Sequence, residues 1–240
     1  MQLSERLNTI LSLVSQSKCV ADVGCDHGFV SIELINRKIA ENVIAMDIRQ
    51  GPLMRAQEHI MQTRLSDKIQ TRLSDGVAAL KPGEADSLII AGMGGNLVIH
   101  ILENGKETVK DMKQCILQPQ SEIQKVRKYL RENDFKIIEE KMVFEDGKYY
   151  PMMKVRPPVA ETAGKDTEVK CWDTVQLKYG KLLLEKQHPV LREYLEREIR
   201  IYQSILEGLK AKDSDRIRQR KEELEQELVE AEKGMKYYAV

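Results

Sequence analysis

Two glycines flank an aspartate in the stretch VADVGCDHGFVSIELI, residues 20–35: Gly24 and Gly28 with Asp26 between them. A Gly-rich turn between a strand and a helix offers backbone N–H groups to a ligand. In the dinucleotide fingerprint G-x-G-x-x-G the second glycine lets the chain approach a pyrophosphate. Asp26 stands in that place here, and a carboxylate repels phosphate and attracts a cation. Two more strand-like runs end in acids. Asp47 closes NVIAMDI, about twenty residues on, where a carboxylate can accept hydrogen bonds from both ribose hydroxyls. Asp75, followed by Gly76, closes IQTRLSDG, within reach of an adenine amino group.

Each acid alone reads as a turn-former or a cap. Three at consecutive strand ends point to one crevice that takes a ribose, an adenine and a cationic centre. S-adenosylmethionine has those parts: no phosphate, a positive sulfonium, an α-amino group and a carboxylate. The expected cofactor contacts are Asp22, Gly24, Cys25, Asp26, His27, Gly28, Asp47, Ile48, Asp75, Gly76, Ala91, Gly92 and Met93.

The elements that must position these residues alternate. Leu3, Leu7, Ile10, Leu11 and Val14 have the spacing of an amphipathic helix. KCVADVG reads as a buried strand, with a helix from Phe29 to Asn36. NVIAMDI is the second strand and GPLMRAQEHIMQTRL a helix, Pro52 suiting its start. The third strand spans 69–76, the fourth 86–95, and CILQPQ (115–120) is the fifth, with helix NLVIHIL between the last two. SEIQKVRKYLREND is a helix with Ser121 as its expected N-cap. Two strands then meet at Asp146-Gly147, a hairpin signal that makes the last strand antiparallel to its neighbour. The expected fold class is α/β: a Rossmann-like, mostly parallel sheet closed by an antiparallel hairpin, the layout of S-adenosylmethionine-dependent methyltransferases.

Beyond residue 158 the character changes. Pro157-Pro158 and the 161–164 region read as a connection, with Trp172 as an anchor. Leu195, Ile199, Tyr202, Leu206 and Leu209 follow a heptad rhythm, and Ile217, Lys221, Leu224, Leu228, Ala231, Met235 and Tyr238 repeat it. The turn at AKDSD makes the two helices an antiparallel coiled-coil hairpin. The expected domains are residues 1–158, Rossmann-like, and 159–240, helical.

The 240-residue chain balances 38 Lys and Arg against 38 Asp and Glu, so no global basic field draws in nucleic acid, and a nucleic-acid partner needs a local basic face. Four scattered cysteines (Cys19, Cys25, Cys115, Cys171) without a C-x-x-C pair argue against zinc and a disulfide framework. No metal is expected. With no leader pattern and no run long enough to span a bilayer, the expectation is a cytoplasmic protein without membrane contact.

The fourth strand ends in AGMGGN, residues 91–96. An acidic or amide residue before Pro-Pro, used by many enzymes that methylate exocyclic amines, is absent. So is the cysteine that 5-methylcytosine formation needs, since Gln120 follows Pro119. A Gly-Met-Gly-Gly loop offers space and backbone donors, which suits a nucleophile with a ready lone pair such as a ring nitrogen of adenine.

ADVGCDHG, AGMGG, LQPQ, QKVRKYLREND and EDGKYY, in this order and joined to the coiled coil, resemble the bacterial tRNA adenine-22 N1-methyltransferase family over essentially the whole chain. The resemblance implies methyl transfer from S-adenosylmethionine to N1 of adenine 22 in the tRNA D-arm, with the nucleotide rearranged or flipped, without metal, and with the coiled coil helping to hold the tRNA. A monomer is expected ahead of an obligate oligomer, although the hairpin can close on itself or pair between chains. Asp26, His27 and Met93 are the candidate catalytic residues; His27 either lines the transfer pocket or caps the next helix, and Met93 either roofs the pocket or packs its loop. Gln118 and Gln120 either read a base edge or satisfy turn backbone. Lys125, Arg127, Lys128 and Arg131 on one helix, and Arg216, Arg218 and Arg220 near the hairpin tip, either meet tRNA phosphates or form solvated faces. Tyr149 and Tyr150 stack on a base or pack in the core. The alternatives are a methyltransferase of another RNA or a protein, a non-catalytic RNA-binding scaffold, and an NAD-dependent oxidoreductase that would need glycine at position 26.

Overall fold

The computed structural model describes residues 3–158, 172–210 and 214–239, and the chain divides into two compact units, Met1–Val169 and Lys170–Val240. The expected boundary after residue 158 and the 161–164 connection fall next to or within residues outside the described ones, as does Cys171.

In the first unit α1 (Glu5–Leu13) leads into β1 (Ser17–Val23), α2 (Phe29–Asn36), β2 (Ala40–Asp47), α3 (Gln50–Gln62) and β3 (Ile69–Leu73). Then come β4 (Ser87–Met93), α4 (Gly95–Asn104), the short α5 (Lys106–Val109), β5 (Gln114–Pro119), α6 (Ile123–Glu132), β6 (Lys136–Glu145) and β7 (Lys148–Arg156). The seven strands lie in the order β3-β2-β1-β4-β5-β7-β6, parallel from β3 to β5, with β7 antiparallel to both β5 and β6. The order reverses between β1 and β4, and the crevice at such a switch point is where open α/β sheets bind ligands.

The central strands are continuous apolar runs because helices cover both faces: in β4 Leu88, Ile89 and Ile90 are fully buried, and in β5 Cys115, Ile116 and Leu117 are too. The edge strand β3 is the polar one. Asp146 and Gly147 at the hairpin turn both take positive φ, as an Asp-Gly two-residue turn requires.

Three expectations need correction. The third and fourth strands end earlier than read, at Leu73 and Met93, because the chain turns into the crevice there. Ser121 is not the cap of α6: Glu122 holds that place in left-handed conformation (φ 46°), and Ser121 Oγ bonds the Glu122 carboxylate instead.

The second unit holds α7 (Thr174–Tyr179), α8 (Lys181–Glu185), α9 (Pro189–Leu209), α10 (Asp215–Met235) and a 3-10 turn, Lys236–Tyr238. The two short helices escape a sequence reading; α7 is started by a capping box in which Asp173 and Gln176 exchange side-chain and backbone hydrogen bonds. Helices α9 and α10 run antiparallel, since Leu195 lies against Gly234 while Tyr202, further along α9, lies near the charge of Glu227, earlier in α10. The seam is the expected one: Leu195, Leu224 and Ala231 are buried and the remaining seam residues half-buried, the stem of Lys221 included. Near its base the hydroxyls of Tyr179, Tyr194 and Tyr202 all donate to the Glu198 carboxylate, at 2.9, 2.6 and 3.1 Å.

Candidate functional site

A cavity of about 540 Å³ opens at the carboxyl edge of the sheet, around the ends of β1, β2, β3 and β4. That is the size of a small-molecule site. Each strand contributes its terminal residues because the chain must leave the sheet there.

After β1, Gly24 takes φ 75°, and the N–H groups of Gly24 and Cys25 both donate to the Met46 carbonyl of β2, at 2.8 and 2.9 Å. Asp26 is also left-handed, with φ 48°. Its carboxylate is 60% exposed and lies 3.5 Å from Arg55 Nη2 and 3.7 Å from His27 Nε2. His27 lies in a cluster of three nearly parallel rings with Phe29 and His59, centroids 5.2–5.7 Å apart, and His59 Nδ1 is 2.9 Å from the His27 carbonyl. The cluster turns His27 away from a capping role, and the N-cap of α2 is Gly28.

Asp22, within β1, is buried and accepts a 2.6 Å hydrogen bond from Ser31 Oγ. Burial pushes its carboxyl up to about 6, the Ser31 bonds pull the other way, and the nearby Asp47 charge adds to the rise. Cys25, buried beside these acids, has its thiol pushed up well beyond the usual range, so it is a packing residue and no nucleophile.

At the end of β2, Asp47 is 6% exposed and its Oδ1 accepts the Arg49 N–H at 2.9 Å, which leaves acceptor capacity for a ligand's hydroxyls. Ile48, 60% exposed, lines the cavity beside it. Beyond β3, Ser74 fixes the turn through the Gly76 carbonyl and the Ala79 N–H, setting Asp75 and Gly76 into the wall.

The β4 end is irregular. The β4–β5 register shifts between Ala91 and Met93, and Gly92 at the shift has φ 77°. Its N–H is taken by Gln118 Oε1 from β5, at 3.1 Å. Gln118 Oε1 also accepts from Arg6 Nη1 at 3.0 Å. Ala91, Gly92, Met93 and Gln120 line the cavity.

All thirteen expected cofactor residues therefore sit at one edge, and all but Gly28, which starts the adjoining helix, line the cavity itself. The RNA-contact expectations fare unevenly. Gln118 is fully buried, spent on Arg6, Gly92 and the Pro119 carbonyl, so it reads no base edge. Arg127 is a second correction: it is 1% exposed, and its Nε donates to Glu140 at 2.8 Å inside the first unit, so it meets no phosphate. Arg131 is half-buried. Lys125 and Lys128 are exposed, Lys128 near Glu132. On α10, Arg216 is exposed, Arg218 pairs with Asp215, and Arg220 lies 3.0 Å from Glu223. Tyr150 packs against the core with Arg6 above its ring, and Tyr149 pairs with Phe144, centroids 4.5 Å apart.

Sequence reasoning missed Arg6, Phe29, Ser74, Leu97 and Ile101 as cavity lining and His59 as a support. Apart from the apolar spacing of Leu97 and Ile101, nothing local marks them. Among the described residues no cluster of three or more His, Cys, Asp or Glu could hold a metal ion, and no helix is long and apolar enough to cross a membrane.

A seven-stranded sheet with a reversed last strand, and acids at three strand ends around a cavity, define a methyltransferase. Residues 3–153 match the family model described as a methyltransferase domain. The chain is 32% identical over 229 residues to the tRNA (adenine(22)-N(1))-methyltransferase of Bacillus subtilis (strain 168), covering 93% of each. The crystal structure of the B. subtilis M1A22 tRNA methyltransferase TrmK matches with a TM-score of 0.80 at 28% identity, over 98% of this chain and 99% of that one. A Streptococcus pneumoniae protein solved in complex with S-adenosyl-L-methionine matches with a TM-score of 0.83 at 27% identity, over 98% of this chain and 100% of that one. The chain belongs to the tRNA (adenine-22-N1)-methyltransferase family.

Proposed function

We propose that the protein transfers a methyl group from S-adenosylmethionine to N1 of adenine 22 in tRNA. The observation that carries this reading is the near full-length relation to the B. subtilis enzyme, which takes in both units.

The cavity fits the cofactor by its chemistry. Asp47 suits a ribose diol, with Ile48 as an apolar cover and Asp75 within reach of an adenine amine. Asp22 and Asp26, on the β1 side of the cavity, add negative potential that stabilises a sulfonium. Bound there, S-adenosylmethionine supplies an electrophilic methyl carbon.

Asp26, His27, Gly92 and Met93 line the same cavity. N1 of neutral adenine holds a free lone pair, so no residue has to remove a proton before attack; the task is to position the base and exclude water. Methylation leaves positive charge on the adenine, and the exposed Asp26 carboxylate, beside Arg55 and His27, is the group we assign to stabilise it. Of the basic residues picked out in the sequence, Lys125, Lys128 and Arg216 are exposed and available to tRNA phosphates. The first unit carries the chemistry and the helical unit helps to hold the tRNA.

The test is methyl transfer from labelled S-adenosylmethionine to bacterial tRNA, followed by mapping of the product. N1-methyladenosine at position 22, lost in a folded Asp26→Ala variant, supports the reading. Cofactor binding without any incorporation into tRNA overturns the substrate, and absence of cofactor binding overturns the whole.

A further inference from the structure

Strand β5 ends on Gln118 and Pro119, Gln120 follows, and the two amides have different fates. Gln118 is buried and bonded through both of its polar atoms. Gln120 is exposed and lines the cavity, and among the described residues no hydrogen bond engages its side chain. Its backbone, by contrast, is pinned on both sides. The Gln120 N–H donates to the Met93 carbonyl at 2.8 Å, and the next residue, Ser121, accepts the Gly95 N–H at 3.1 Å. The amide thus extends from a fixed point beside the Gly-Met-Gly-Gly loop, with Nε2 3.9 Å from where a side chain on Gly92 would begin.

The strand order separates this amide from the adenosine half of the cofactor. Asp47 and Asp75 assign that half to the ends of β2 and β3. Strand β5 lies three strand spacings from β2, about 14 Å across the sheet. Glycines at 92, 94 and 95 leave room on the β4–β5 side for a second planar group, the base to be methylated.

An amide can hold adenine by either of two edges. On the Watson–Crick edge its N–H would take the N1 lone pair, the very pair that must attack the methyl carbon. On the other edge Oε1 accepts from N6–H and Nε2 donates to N7, which leaves N1 free. Guanine offers O6 and N7 there, two acceptors, so Oε1 would face another oxygen; a pyrimidine has no N7. As the methyl group transfers, positive charge spreads from N1 into the N6 amino group. The N6–H bond to Oε1 then becomes charge-assisted, so the contact strengthens in the transition state.

We infer that Gln120 is the residue that selects adenine, holding the N6 and N7 edge of the target base. This rests on the adenine-N1 reading above.

The experiment uses the full chain, native and Gln120→Ala, and two tRNAs that carry adenosine or 7-deazaadenosine at position 22. The second has carbon in place of N7 and keeps N1. Replacing N7 also alters the reactivity of N1, but equally for both proteins, so it cancels in the comparison. The native protein should favour adenosine over 7-deazaadenosine in kcat/KM by about tenfold more than Gln120→Ala does. Binding of S-adenosylhomocysteine, measured by calorimetry, should be the same in both proteins, which also shows that the variant cavity is intact. Equal preferences in the two proteins overturn the inference, as does a variant with native kcat/KM on adenosine. A tenfold loss of S-adenosylhomocysteine affinity overturns it too, because the amide would then belong to the cofactor. A native protein that methylates neither tRNA overturns the adenine-N1 reading, and the inference with it.

Discussion

The methyl carbon of Met93 lies 2.3 Å from the point where a Cβ on Gly24 would stand. The turn after β1 and the loop after β4 are thus in register across the switch point, and the side chain of one fills the space the other leaves. Gly24→Ala must displace Met93 and also hold a side chain at φ 75°. The flexible thioether gives way cheaply, so the backbone strain dominates, at about 1–3 kcal/mol. Chemical denaturation should show that loss, and cofactor affinity should fall with it, because the displaced Met93 moves into the cavity. Native affinity in a destabilised variant would refute the link.

Asp47 carries a sharper expectation. Hydrogen bonds to a charged acceptor contribute about 1.5–3 kcal/mol, so Asp47→Ala should weaken S-adenosylhomocysteine by roughly 10- to 100-fold in calorimetry. A change below about threefold would remove the ribose assignment.

Asp22 couples stability to pH. Its carboxyl is raised from 3.8 to about 6 in the folded chain. The folded state therefore holds a proton that the unfolded state has released, and stability contributed by this group falls as pH rises from about 4 to about 6, then levels off. Asp22→Asn lacks that dependence. The variant should gain on the native protein across this window, by up to about 3 kcal/mol, in melts run at pH 4 and pH 7. A constant difference between the two would contradict the raised carboxyl.

Arg127 and Glu140 are an ion pair with both side chains buried, 1% and 0% exposed. Arg127→Ala strands a carboxylate in the core and should cost about 3–5 kcal/mol in urea unfolding, with much of the loss recovered in the Arg127→Met, Glu140→Leu double variant. Were Arg127 instead a phosphate contact, the single variant would keep its stability and lose tRNA affinity.

Much of the first unit was legible because burial on both faces leaves continuous apolar strands, and because Asp47, Asp75 and the Gly24–Gly28 turn sit at strand ends, where open sheets bind ligands. The heptad seam was legible for a similar reason, since Leu195 and Leu224 recur at a fixed period. Failures occurred where a side chain's fate depends on a distant partner. Arg127 looks like its neighbours Lys125 and Lys128, and only the fold brings up Glu140, the carboxylate it meets inside the core. Gln118 reads as a surface amide until Gly92 and Arg6 claim its oxygen. Arg6 sits on the polar side of an ordinary amphipathic pattern, with no local sign that it faces a cavity.

The outer strands of the sheet have a bearing on solubility. At one margin β3 carries Gln70, Thr71 and Arg72, and Arg72 is clamped by Glu84 at 2.8 Å. At the other, β6 bears Lys136, Glu139 and Lys141, and its register slips between Ile137 and Glu139. A flat apolar margin would template pairing with a strand from another molecule; charge and a local kink oppose it. An enzyme that must keep its crevice open to a large polyanion is thereby guarded at both margins against self-assembly into extended sheets.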